Sequence, residues 1–125
     1  MRSDLYPPFK TDQMNKTTDY FLPAPHAVQQ TGPDASRAIL GHNEALMMVK
    51  MDFSKGAAGD IHQHEHTQAT YILSGAFEFT IGEEKKVVRQ GDACFMPASV
   101  PHGCVCLEAG SLLDVFTPER NDFLD

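Results

Sequence analysis

From Glu44 onward the chain alternates short apolar runs with polar punctuation. ALMMVKMDF (45–53), ATYILS (69–74), AFEFTI (76–81), KKVVRQ (85–90), ACFM (93–96), CVCL (104–107) and LLDVFT (112–117) are the runs, and Gly56, Gly59, Gly75, Gly82, Gly91 and Gly110 punctuate them. Runs this short, with turn residues at regular intervals, predict the strands of an all-β sandwich or barrel. No segment after residue 44 sustains a helical apolar period. AFEFTIGEEKKVV predicts a hairpin with Phe77, Phe79 and Ile81 on one face and Glu78 and Thr80 on the other.

The first forty residues have a different texture. Pro7, Pro8, Pro23, Pro25 and Pro33 interrupt any helix or central strand, while Tyr6, Phe9, Tyr20, Phe21 and Leu22 are isolated apolar anchors. The division this predicts is an N-terminal arm over residues 1–40 and one barrel domain over 41–125. SRAIL (36–40) fits either a short helix or a further strand. An arm with apolar anchors and no core of its own is expected to pack on the body or on a second subunit, so a homodimer is expected.

Charge narrows the function. Ten Lys plus Arg stand against 17 Asp plus Glu, a net of −7. That balance lacks the basic footprint of a nucleic-acid binder. No run approaches the ~20 apolar residues of a membrane span, and the first twenty residues lack the apolar core of a signal peptide, so a cytoplasmic protein is expected. Cys94, Cys104 and Cys106 cannot all pair within the chain and are read as reduced. Cys104 and Cys106 follow His102 closely enough to raise a metal role, but small buried residues on a strand account for them more simply.

The segment Gly59-Asp60-Ile61-His62-Gln63-His64-Glu65-His66-Thr67-Gln68 carries the chemistry. His62 and His64 at alternate positions of a strand lie about 6.6 Å apart on one face, close enough for their rings to converge on one ion. A straight strand would put Gln68 about 20 Å from His62, whereas two donors on one metal are at most about 4 Å apart. The chain must therefore turn at Glu65-His66-Thr67, so that Gln68 returns on the next strand and His66 is left aside. His102, in Met96-Pro97-Ala98-Ser99-Val100-Pro101-His102-Gly103, is the natural distant fourth donor. Three imidazoles and an amide cancel none of a cation's charge. Such a site favours an anionic chelating ligand and Lewis-acid work over a higher oxidation state.

These residues carry a resemblance. Gly56-x5-His62-x-His64-x3-Gln68-x6-Gly75 resembles the first motif of the cupins, with Gln68 where most cupins have Glu. Gly91-x5-Pro97-x4-His102 resembles the second motif, with Ser99 in place of its glycine and Cys106 in place of its asparagine. The resemblance implies a double-stranded β-helix barrel of jelly-roll type holding one divalent metal. Ala45 to Leu124 further resembles the KdgF group of cupins, associated with pectin and alginate breakdown, whereas residues 1–27 do not match it. That group converts 4,5-unsaturated monouronates into open-chain ketonised uronates. The resemblance implies metal ligands at His62, His64, Gln68 and His102, and active-site roles for Asp114, Phe116 and Arg120.

The residues are consistent with that chemistry. Asp114 interrupts the apolar run LLDVF and is costly to bury without a purpose. Arg120, in Pro118-Glu119-Arg120, can clamp a carboxylate. The expected partner is a small anionic sugar, and the expected metal is nickel, zinc, iron, cobalt or manganese, which three nitrogens and one oxygen all suit. A dioxygenase or lyase acting on another small acid, or a sugar-binding cupin without catalysis, remain the alternative readings.

Overall fold

A computed structural model describes residues 16–124. The arm positions Tyr6, Pro7, Pro8 and Phe9 lie outside the described residues. Ten strands follow in chain order: β1 (Gln29–Gly32), β2 (Ala35–Asn43), β3 (Leu46–Phe53), β4 (Ala58–His62), β5 (Thr67–Ile72), β6 (Ala76–Ile81), β7 (Glu84–Arg89), β8 (Ala93–Met96), β9 (His102–Glu108) and β10 (Gly110–Thr117). A 3-10 turn over Asn121–Phe123 is the one helical element among the described residues. A six-stranded sheet in the order β1-β2-β3-β10-β5-β8 faces a four-stranded sheet in the order β4-β9-β6-β7. The pairs are antiparallel, and the arrangement is an all-β jelly roll.

Local sequence explains most of this. ACFM and AFEFTI form β8 and β6 with the bounds their alternation predicts, and β6 buries Phe77 and Phe79. SRAIL is strand, not helix, and lies within β2. β2 also crosses the border expected at residue 40: β1 and β2 pair onto β3 in the larger sheet, and Ala38 and Ile39 are buried. Pro33 does not break them, because it falls in the turn between the two strands, where a fixed φ and a missing N–H do no harm. Tyr20 and Phe21, by contrast, are exposed.

The apolar interior is divided in two. Ala57, Ile72, Phe77, Phe79, Cys106 and Leu112 form one cluster, and Ile39, Met47, Val49, Phe116 and Leu124 the other. β10 contributes Leu112 to the first and Phe116 to the second, with Asp114 between them. The inward face of β5 repeats the pattern, with Ile72 in the first cluster and Thr70 and Gln68, both buried, beyond it. A polar layer thus lies between two apolar cores that meet, among the described residues, only at Met51, which packs against both, and the candidate site is built in that layer.

Candidate metal centre

His62 ends β4 and faces His102, the first residue of β9, as its register partner. The two strands approach so closely here that a Cβ on Gly103 would lie 2.6 Å from the carbonyl oxygen of Gly59. Only glycine fits that contact. His64 is not on a strand as its spacing from His62 suggests; it lies in the irregular stretch after β4, and a bend at Glu65–His66 leads into β5. The bend brings Gln68 back toward the histidines. Ser99, at the second motif's glycine position, adopts the left-handed φ of 66° that glycine tolerates more easily. Its N–H thereby donates to the carbonyl of His64 at 2.7 Å, tying the loop before His102 to the His64 segment.

The ring centroids of His62, His64 and His102 lie 4.5–5.3 Å apart, and one ring nitrogen of each lies within 4.8 Å of the others. All three Nδ1 atoms meet backbone carbonyls: Asp60 at 2.8 Å, His66 at 3.0 Å and Val100 at 2.9 Å, respectively. A carbonyl only accepts, so each Nδ1 carries the proton and Nε2 of the neutral ring keeps its lone pair. Burial lowers the pKa of both His64 and His102, and the nearby Arg120 charge adds to the effect at each. His102 Nε2 is buried without a hydrogen-bond partner.

Gln68 completes the set. Its amide nitrogen donates to Thr70 Oγ1 at 3.1 Å and to Asp114 Oδ1 at 3.0 Å, which fixes the orientation of the amide. Its Oε1 then lies 3.1 Å from His64 Nε2. Two lone pairs facing each other at that distance repel unless a cation stands with them. This contact and the partnerless His102 Nε2 fit a divalent metal held by His62, His64, Gln68 and His102. His66 is absent from the group: its Nε2 lies 3.0 Å from the Glu119 carbonyl and its ring packs edge-on against Phe116.

Asp114 lies opposite Thr70 in the β10–β5 register and accepts the Thr70 hydroxyl at 2.6 Å. Burial pushes its carboxyl up to about 6, against the lowering effect of the bonds from Thr70 and Gln68. Phe116 stands edge-on to His64 at 5.9 Å. The Arg120 guanidinium lies 5.1 Å from the Phe116 ring centre and is held by Asp122 through two bonds of 3.0 and 2.8 Å. His62, Gln68, His102, Asp114, Phe116 and Arg120 all line one cavity of about 470 Å³, to which the β1–β2 turn also contributes. That volume suits a single small ligand.

One participant, Thr70, and one neighbour of the site, Arg37, escape the sequence reading. Thr70 is signalled only by its position two residues after Gln68, on the same inward face. Arg37 of β2 stacks on Phe123 with its guanidinium 3.9 Å from the ring centre, next to Arg120 at 4.3 Å from the same ring. Among the described residues the metal-type group contains no cysteine. The three cysteines are free, Cys106 is part of the apolar core, and burial pushes the Cys104 thiol up to about 12.

The cupin domain model matches residues 49–116. A pectin degradation protein KdgF of Dickeya dadantii (strain 3937) is 40% identical over 107 residues, covering 84% of this chain and 97% of that protein. The solved structure of KdgF from a Halomonas species superposes with a TM-score of 0.79 at 40% identity, over 86% of this chain and 99% of that one. An RmlC-like cupin from Shewanella frigidimarina NCIMB 400 gives a TM-score of 0.82 at 38% identity, over 85% and 96% of the two chains. A jelly roll whose two cupin motifs bring three imidazoles and an amide together, in a chain this similar to KdgF over most of both lengths, belongs to the cupin family and, within it, to the KdgF group.

Proposed function

We propose that this protein opens and ketonises 4,5-unsaturated monouronates released in pectin or alginate breakdown, as a metal-dependent isomerase. The observation that carries the reading is the shared cavity: His62, His102 and Gln68, which His64 joins from behind, line it together with the Asp114 carboxyl and the Arg120 guanidinium. The relatedness to a pectin degradation protein supports the substrate class.

In an unsaturated uronate, the C4=C5 bond is an enol ether of the cyclic hemiacetal. The C1 hydroxyl loses its proton as the C1–O5 bond breaks, leaving an aldehyde at C1 and an enol at C5. Protonation at C4 with loss of the C5 enol O–H proton then yields the ketone, with no net change in composition. His62, His64, Gln68 and His102 would hold a divalent metal, which when bound would supply Lewis-acid polarisation. Asp114 moves the proton, a task suited to a carboxyl that lines the cavity and is held in place by Thr70 and Gln68. Arg120 pairs with the substrate carboxylate: Asp122 uses two of its N–H donors, and a guanidinium has five. Phe116 forms the apolar wall between Arg120 and His64. A cytoplasmic homodimer goes with this reading, and the exposed Tyr20 and Phe21 support association. Sedimentation as a monomer at micromolar concentration would remove the dimer.

The test is to incubate the metal-loaded protein with lyase-generated unsaturated monouronate and follow loss of the conjugated double bond by ultraviolet absorbance. Metal-dependent loss under strict anaerobiosis is expected. Binding without turnover would replace the enzyme with a sugar-binding cupin, and an oxygen requirement would replace it with an oxygenase.

A further inference from the structure

An amide at position 68 raises a question that the metal alone does not answer. A carboxylate there would bind a cation more strongly, yet the chain places Gln. Behind it stands Asp114, whose Oδ1 accepts from Gln68 Nε2 at 3.0 Å and from Thr70 Oγ1 at 2.6 Å, while Gln68 Nε2 also donates to Thr70 Oγ1 at 3.1 Å. The three side chains close a triangle of hydrogen bonds. Thr70 and Asp114 are opposite residues of paired strands, and Gln68 precedes Thr70 by two on the same face, so the triangle is fixed by the sheet register. Thr70 is 2% exposed and Gln68 6% exposed.

We propose that Thr70 and Asp114 are a positioning pair that selects an amide over a carboxylate at position 68 and turns its oxygen toward the metal site. Only an amide has a donor for Asp114 and an acceptor for the cation at once. Glutamate in the same pose would put a carboxylate oxygen about 3 Å from Asp114 Oδ1, and like charges at that distance oppose one another. The pair therefore keeps the ligand set neutral, so the cation offers its full charge to an anionic ligand. Thr70 acts through Gln68 and Asp114, in the manner of the outer partners that orient metal ligands elsewhere. This rests on the metal-site assignment made above, and the following test separates the two.

The experiment is a cycle on purified full-length protein, with zinc affinity measured by competition against a chelator at neutral pH. The four proteins are wild type, Gln68→Glu, Asp114→Asn, and Gln68→Glu with Asp114→Asn. Asn at 114 still accepts from Gln68, so Asp114→Asn alone is expected to change affinity by less than about threefold. In the Gln68→Glu background the same substitution is expected to raise affinity about tenfold or more, because it replaces a like charge with a donor. Thr70→Val is expected to weaken binding about tenfold, and Thr70→Ser, which retains the hydroxyl, to restore it. An equal effect of Asp114→Asn in both backgrounds would overturn the proposal while leaving the metal site intact. No stoichiometric zinc on wild type would overturn the metal site as well. Thermal melts of all variants separate misfolding from lost affinity, and an affinity loss in Thr70→Val that Thr70→Ser fails to restore counts against the pair.

Discussion

Replacing Asp114 with Asn should stabilise the metal-free protein while depressing turnover. In the fold, burial raises this carboxyl from an ordinary 3.8 to about 6. As pH rises through that interval the unfolded chain loses the proton first, so the ionisation of Asp114 favours unfolding. The wild-type fold is expected to lose stability between about pH 4 and pH 6, and to keep that loss at neutral pH. A difference of about two pH units corresponds to about 3 kcal/mol. Asparagine is nearly the same shape, keeps an acceptor for Thr70 and cannot ionise, so it should recover 1–3 kcal/mol, roughly 5–10 °C in melting temperature for a domain of this size. The assay is chemical or thermal unfolding of chelator-treated wild type and Asp114→Asn at pH 4 and pH 7. Metal must be absent, because a dication beside Gln68 would itself lower the carboxyl. The expected pattern is a gain at pH 7 that vanishes at pH 4, together with a drop in kcat of about a hundredfold or more for a lost proton-transfer group. A variant less stable than wild type by the same amount at both pH values would refute the reasoning.

Other substitutions test the remaining geometry. His62→Ala or His102→Ala should abolish stoichiometric metal in elemental analysis, whereas His66→Ala, at a residue turned to the Glu119 carbonyl, should leave it nearly unchanged. Arg120→Ala should raise KM about ten- to a hundredfold with a smaller effect on kcat, since a carboxylate contact made equally in ground and transition states is uniform binding, worth on the order of 1.5–3 kcal/mol. Gly103→Ala should lower both melting temperature and metal affinity, because the 2.6 Å approach to the Gly59 oxygen forces β4 and β9 apart where they carry His62 and His102. Cys104 should react negligibly with a disulfide reagent at pH 8 in the folded protein, because a thiol pushed to about 12 offers almost no thiolate.

The parts of the fold visible in the sequence are those whose evidence is local. Alternation marks β6, β8 and β10, and the reversal at Glu65–His66 follows from the reach of the chain between His62 and Gln68. The register of distant strands is not local, and what depends on it stays hidden. Nothing near Asp114 in the chain announces Thr70, yet antiparallel pairing sets the two opposite each other. β1 was hidden and β2 left ambiguous for another reason: the prolines up to Pro33 suggest an irregular arm, whereas Pro33 falls in the turn and Ala38 and Ile39 are buried where β2 joins the sheet. His64 needed three-dimensional information too, since its place depends on the loop at Ser99 rather than on strand periodicity.

The division of the interior has a bearing on how the molecule opens. Two apolar clusters with a polar layer between them, joined only at Met51, would unfold independently if separate strands served them. β3 and β10 prevent this, because Met47 and Val49 lie in one cluster with Phe53 packed on the other, and Phe116 and Leu112 are divided in the same way. Both strands are also internal to the larger sheet and adjacent within it. Their amides should therefore exchange with solvent only in global unfolding, while β7 and β8, at sheet edges, exchange through local openings. Asp114 rides on one of these two slowest strands, so the residue proposed to move the proton is carried by the part of the backbone that opens last.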